Sequence, residues 1–403
     1  MKQLSSEERA LGASIDQEAM LAQTGRWSAI NTGTGNLAGL TRQAQELADA
    51  FAVLPGQIAL RDAAPVTSVD AAGNEVDLPH GRHLVLSVRP QAQRRFLLSG
   101  HMDTVYSADH PFQGARRVDT DTLNGPGVAD MKGGLVVILH ALLAFEASDA
   151  AEWVGYDVMI NSDEETGSLS SAVLIAELAR GKTAALTYEP SALPDGTLAH
   201  ARGGSGNYSI VVSGRSAHAG RNPREGRNAL VAAAALAVAI KDLEHAELSV
   251  NPARIDGGSA NNVVPDHAVL RFNIRPRTTA AADAFENDLA VLLRATEARH
   301  EVTLRLHGGV TRPPKAVDAR AQRLFDLVVE SSAALGRPLG WQDSGGVCDG
   351  NNIAASGVPV VDTMGVCGGA IHSPDEYLIV SSLAERAALS AVVLHRLAAG
   401  EGP

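Results

Sequence analysis

A chain of 403 residues exceeds what one hydrophobic core usually organises, so two domains are expected. Its 45% hydrophobic and 20% charged residues argue against a disordered chain, and a formal charge of -12 argues against a nucleic-acid binder, which needs a basic face. Two cysteines, Cys348 and Cys367, can build neither a disulfide framework nor a zinc finger.

Residues 1–8 lack the apolar segment of a signal peptide, and the apolar run at 229–240 is too short to span a bilayer, so a cytoplasmic address without a membrane is expected. Residues 5–22 and 36–54 read as helices, the second opening at Asn36 with Leu37, Leu40, Ala44, Leu47, Ala48 and Phe51 at helical spacing. Strands are expected at 84–88 and 96–99. A Gly-Pro-Gly turn at 125–127 leads to a helix over 135–145 that its pattern buries all round. A strand at 158–161, a helix at 170–179 and a strand at 184–188 follow. This alternation points to an α/β fold with a mainly parallel sheet.

The character changes at 202–206 (Arg-Gly-Gly-Ser-Gly), which reads as a hinge. Beyond it come a strand at 208–213, an alanine-rich helix at 226–243, strands at 249–255 and 268–274, a helix at 281–298 and a strand at 302–306. That order is one of a small inserted α+β sandwich. A second hinge signal at 308–314 returns the chain to helix (317–335), strand (358–363) and helix (380–398). The expected layout is a catalytic domain of residues 1–203 and 312–403 with a domain inserted at 204–311.

The stretch 97–106 ends an apolar run in His101 and Asp103. Side chains two apart on an extended segment share a side, so Asp103 is placed to fix the tautomer and aim of a metal-binding imidazole. Alone, the pair also reads as a strand-end histidine beside a helix-capping aspartate. Asp130, Glu164, Glu165, Glu189 and His372 also fall at strand ends or in the loops after them, where open α/β sheets form their ligand crevice. Converging carboxylates repel unless a cation lies among them. Two imidazoles and three carboxylates suit a pair of divalent metals, with zinc favoured by the nitrogen and oxygen donors. Neighbours on an extended chain point apart, so one of Glu164 and Glu165 can ligate while the other acts as general base. Singly, Asp-Glu-Glu also reads as a solvated loop, and Asp130 as a helix cap. His200 and His267 carry no motif.

These residues lie in stretches that together resemble the dinuclear zinc M20 peptidases and amidohydrolases over nearly the whole chain. The stretches are Gly-His-Met-Asp-Thr-Val at 100–105, Gly-Pro-Gly-Val-Ala-Asp-Met-Lys-Gly-Gly at 125–134 and Asp-Glu-Glu-Thr-Gly-Ser at 163–168. Tyr-Glu-Pro at 188–190, Ser-Ala-His-Ala-Gly at 216–220 and the His372 loop complete the set. The resemblance implies two divalent ions per chain, zinc or else cobalt or manganese. By it, His101 and Glu189 bind one ion, Glu165 and His372 bind the other, and Asp130 bridges them. Asp103 orients His101, Glu164 is the general base and acid of amide hydrolysis, and the Asp130–Met131 peptide bond is cis. The inserted domain would be a lid through which the chain forms a homodimer. His218 would reach the partner's site to stabilise the oxyanion, and Asn262 would contact substrate there.

Arg275 and Arg312 match positions linked to a substrate carboxylate, with a surface ion pair as the other reading of each. Arg312 is favoured, because two prolines stiffen it and its guanidinium offers a bidentate fork. The pattern is closest to the glutamate carboxypeptidase branch, from which Gly-Gly-Val-Cys-Asp-Gly at 345–350 departs. The expected function is metal-dependent release of an amino acid from a small amide or peptide bearing a carboxylate. The alternatives are an N-acyl-amino-acid deacylase and a catalytically silent metal-binding relative, against which the intact Glu164 and His218 count.

Overall fold

In the computed structural model, which describes residues 3–403, neighbouring residues of the central strands pack on opposite faces. On Arg95–His101, Phe96 and Leu98 join one buried cluster and Leu97 another. On Gly155–Asn161, Val158 and Ile160 join the first and Met159 the second. This period of two is that of an extended strand. Because both faces are covered, apolar residues occupy both faces of these strands, with Asp157 and Ser99 as buried polar exceptions.

Among the described residues the central sheet orders Gln57–Arg61, His83–Val88, Gly155–Asn161, Arg95–His101, Ala184–Thr187 and Val360–Val361. The last four are parallel to one another, and the first two join through antiparallel pairings. The mainly parallel α/β sheet expected from the sequence is present. Helices Gly133–Glu146 and Ser381–Ala398 fill one cluster with Leu135, Ile138, Leu142, Leu389 and Val393. The stretch Val128–Glu146 is long and apolar enough to cross a membrane, but 89% of its apolar window is buried inside the protein.

The structure divides into two compact units. The first comprises residues up to 64, 79–201 and 316–403, and the second residues 65–78 and 202–315. The second is a four-stranded antiparallel sheet ordered Leu248–Gly257, His267–Pro276, Ser205–Ser213 and Thr303–Arg312, with helices Ala229–Lys241 and Thr279–His300. Ile210, Val212, Leu270 and Phe272 pack with those helices. Val211 and Val269, on the opposite face, meet Val69 of a hairpin made by Thr67–Val69 and Glu75–Asp77. Arg271 Nη2 donates to the Val69 and Asp70 carbonyls at 2.7 and 2.9 Å, and Arg305 Nη2 to the Gly73 carbonyl at 2.7 Å. The sequence reading left this hairpin in the first domain, because nothing local in it announces a partner more than a hundred residues away.

Two further expectations differ. The helix expected over 5–22 is two helices, Ser6–Ala13 and Gln17–Ser28. The second starts where the Asp16 carboxylate accepts the N–H groups of Glu18 and Ala19 at 3.0 and 3.1 Å. The second hinge signal is mostly strand, since Thr303–Arg312 pairs with Ser205–Ser213 as far as Arg312. A Cβ at Gly308 would lie 2.0 Å from the Asn207 carbonyl oxygen, so glycine there permits close strand pairing.

The ends of the first unit are joined by a buried ion pair. Arg396 Nε donates to Glu8 Oε1 at 2.6 Å, with the residues 1% and 3% exposed. Burial alone would raise the Glu8 carboxyl, but Arg396 and the Ser5 N–H outweigh it and hold it below the usual range. Its stabilisation is therefore full above about pH 4.3 and is lost as pH falls through the lower folded value. Glu8→Ala should destabilise the chain by about 3–5 kcal/mol at pH 7, since it strands a buried guanidinium. In urea titrations the gap from wild type should narrow below pH 4. A gap under about 0.5 kcal/mol at pH 7 would show that the pair contributes little.

Candidate metal centre

Parallel register brings the candidate ligands of the first unit to one edge of the sheet. His101 ends its strand opposite Asn161, and Ser99 lies opposite Thr187, so the loops bearing Glu164, Glu165 and Glu189 leave from the same end. Asp130 sits in the tight turn Val128–Lys132 that enters the apolar helix, and the Asp130–Met131 bond is cis. A Cβ at Gly134 would lie 2.1 Å from the Tyr188 carbonyl oxygen, which explains the Lys-Gly-Gly sequence where this helix passes the Glu189 loop. His372 follows the short strand Gly368–Gly369 with a φ of +62°, a left-handed conformation that few residues other than glycine adopt.

One carboxylate faces both imidazoles. His101 Nε2 lies 3.1 Å from Asp130 Oδ1 and 3.7 Å from Glu189 Oε2. His372 Nε2 lies 3.3 Å from both Asp130 Oδ2 and Glu165 Oε2. Two groups have donor atoms within 4.8 Å of one another: His101, Asp130 and Glu165, and His101, Glu164 and Glu189. Glu164 and Glu165 both reach the cluster because they stand on a helical turn, Glu164–Thr166, where the sequence reading took the chain as extended.

Asp103 also does more than expected. The His101 Nδ1 position lies 3.0 Å from the Asp103 carbonyl oxygen and 3.4 Å from its carboxylate. Donation to the carbonyl leaves the Nε2 lone pair facing the cluster. The Asp103 carboxylate accepts the N–H groups of Glu164 and Glu165, both at 3.1 Å, and the Thr34 hydroxyl at 2.9 Å. It thereby pins the turn that carries both glutamates.

The electrostatics are those of a crowded anionic site. Burial, and then the Asp130 charge, push Glu165 up to about 7. Hydrogen bonds to Asp130 and Glu165 raise His372 to about 10. Burial opposes charge on His101, yet Glu189, Asp103 and Asp130 raise it well above the ordinary imidazole value. Burial would likewise raise Asp130, but the two imidazoles hold it below the carboxylate range. The cluster gathers positive charge as protons where cations would supply it. Nitrogen and oxygen donors, grouped in this way, fit two divalent ions.

Sequence reasoning missed several supporting groups. The buried Lys132 Nζ donates to the Trp27 and Ile30 carbonyls at 3.0 and 2.6 Å, and burial lowers its amine to about 7. Glu376, four residues after His372, accepts backbone N–H groups around Asp130. Its position in His-Ser-Pro-Asp-Glu was the available signal. Both cysteines are buried, and Cys348 caps the helix Asp349–Ala355.

The remaining candidates all lie on the second unit. His218 is exposed, and its Nδ1 accepts the N–H groups of Gly220 and Arg221 at 3.1 and 3.2 Å. In the neutral ring the proton therefore sits on Nε2, available to donate. The Asn262 carbonyl accepts the Ala219 N–H at 2.9 Å, tying its loop to that of His218. Arg275 is exposed, and its Nε donates to Asn273 Oδ1 at 3.0 Å. Arg312 is only 2% exposed. His200, which carries no motif, belongs to the first unit and stacks on Trp341 with ring centroids 4.0 Å apart.

Carboxypeptidase G2 of Pseudomonas sp. (strain RS-16) is 29% identical to this chain over 396 residues, covering 96% of this chain and 92% of the relative. Succinyl-diaminopimelate desuccinylase of Hahella chejuensis is 26% identical over 343 residues, covering 80% and 87%. Aminopeptidase PepT from Bacillus cereus superposes with a TM-score of 0.71 at 21% identity over 95% of this chain and 99% of its own, a likeness of fold. Residues 97–396 match the peptidase family M20/M25/M40. The chain belongs to that family and is a hydrolase of peptide or amide bonds.

Proposed function

We propose that this hydrolase uses two metal ions to release an amino acid from an amide or peptide that bears a free carboxylate, in the manner of a glutamate carboxypeptidase. The observation that carries the reading is Asp130, whose two oxygens face different imidazoles, each accompanied by a further carboxylate. One ion is assigned to His101, Glu189 and Asp130, and the other to His372, Glu165 and Asp130. Two divalent ions, zinc or else cobalt or manganese, would supply Lewis acidity and favour ionisation of water. Glu164 takes a proton from the attacking water and returns it to the leaving amine. The Asp103 carboxylate, by holding the Glu164 N–H, sets where that base stands. The second unit is assigned as a lid and dimerisation domain. From it the His218 Nε2–H donates to the oxyanion in the partner's site, and Asn262 contacts substrate.

An N-acyl-amino-acid deacylase is the second reading, favoured by the similarity to succinyl-diaminopimelate desuccinylase. Zinc- or cobalt-loaded protein assayed on N-acyl amino acids, dipeptides, pteroyl-glutamate-like amides and their amidated analogues separates the two. The proposal expects preference for a free carboxylate on the amine side of the scissile bond, bound by Arg275 or Arg312. Truncating the arginine that binds it should weaken kcat/KM for the acid by about 1.5–3 kcal/mol and matter little for the amidated analogue. Equal losses on acid and amide would make that arginine structural, the role to which the burial of Arg312 lends weight.

A further inference from the structure

Glu376 belongs to neither group of candidate ligands, yet it holds the turn on which the two-ion reading depends. It is 1% exposed. Its Oε1 accepts the N–H groups of Ala129 and Asp130 at 3.0 and 3.1 Å, and its Oε2 accepts the Gly127 N–H at 3.2 Å. The Tyr106 hydroxyl stands 2.8 Å from Oε2 and 2.8 Å from the Ser373 carbonyl oxygen, so its one proton can serve either. The backbone of Glu376 is tied as well. Its carbonyl accepts the Asn124 side-chain amide at 2.7 Å and the Gly125 N–H at 3.2 Å, while its N–H donates to the Ser373 carbonyl at 3.0 Å.

Glu376 therefore grips the Asp130 turn through its side chain and the His372 loop through its main chain. Those two segments carry the carboxylate and the imidazole that must keep a fixed separation. The peptide N–H groups at Gly127, Ala129 and Asp130 all point at one carboxylate, a charge-assisted arrangement stronger than one between neutral groups. The same dipoles occupy the charge of Glu376, which keeps one more nearby carboxylate from competing for cations.

We propose that Glu376 is a positioning residue of the two-metal centre. It fixes the Asp130 carboxylate with one oxygen toward each imidazole, and it couples that setting to the His372 loop. The inference rests on the two-ion reading above. Groups that orient metal ligands typically change metal affinity or activity by about 10–100-fold when removed. Glutamine at 376 keeps the size but places an amide donor against peptide donors.

The test is cobalt titration of the metal-free full chain, followed by calorimetry and by the visible absorption of bound Co²⁺. Wild type should take up two equivalents. Glu376→Gln should bind the weaker equivalent about 10–100-fold less tightly, with an altered Co²⁺ spectrum and unchanged circular dichroism. Tyr106→Phe, which removes one hydroxyl, should shift the spectrum in the same direction by less, and it serves if Glu376→Gln fails to fold. Glu376→Asp, which keeps the charge, should recover part of the affinity. A Glu376→Gln titration and spectrum that superimpose on wild type overturn the positioning role alone. If the glutamine variant does not fold, a wild-type spectrum in Tyr106→Phe does the same. Wild type that takes up fewer than two equivalents overturns the two-ion reading, and this role with it.

Discussion

Replacing Glu164 with alanine is expected to lower kcat by about two to four orders of magnitude while both metals stay bound. Each ion of the proposal would be held by an imidazole, a glutamate and the shared Asp130, so Glu164 would not be needed as a ligand. Its place on the turn pinned by Asp103, within reach of His101 and Glu189, suits proton transfer to and from the reacting atoms. Losing Asp130 should have a different signature. Without the shared carboxylate the two imidazoles and the remaining glutamates cannot hold two cations close together, so Asp130→Ala should fall below two metals per chain by elemental analysis. Near-normal turnover in Glu164→Ala, or its loss of metal together with activity, would remove the base assignment.

Mixing two inactive variants should restore turnover if His218 serves the partner subunit. A heterodimer of Glu164→Ala and His218→Ala chains holds one site with both groups intact. After complete subunit exchange half of the dimers are mixed, and each carries one competent site. Activity should therefore rise from near zero to about a quarter of wild type at equal mixing, provided the sites work independently. No recovery after exchange, verified by mass-tagged chains, would mean that His218 acts in its own subunit or not at all. The exposed ring with its proton directed to Nε2 gives the donor such an arrangement needs.

The α/β sheet and the convergence of the candidate ligands were legible because both leave local marks. The strands that end at Asn161 and His101 are mostly apolar, and each candidate ligand stands in a short run whose neighbours limit its role. Two kinds of information were not local. Glu164 and Glu165 reach the same cluster only because a helical turn replaces extended chain, and that turn is held by Asp103 from 61 residues away. The 308–314 glycines resemble a hinge in sequence, since close strand pairing and flexibility ask for the same residue. The burial of Arg312 was likewise hidden, because a guanidinium among glycines and prolines reads as surface chain.

The hairpin at 65–78 changes how this protein can be taken apart. Because it packs with the sheet of residues 202–315, the backbone passes between the two units four times, at 64/65, 78/79, 201/202 and 315/316. The second unit is thus not a cassette. A chimaera that exchanged 202–315 with a relative's sequence and kept the native hairpin would set foreign side chains against Val69. It could also lose the guanidiniums that hold the Val69, Asp70 and Gly73 carbonyls. Homologous grafting has to move both segments together, and drift at Arg271, Arg305 and Val269 is constrained by a stretch of chain that lies far earlier in the gene.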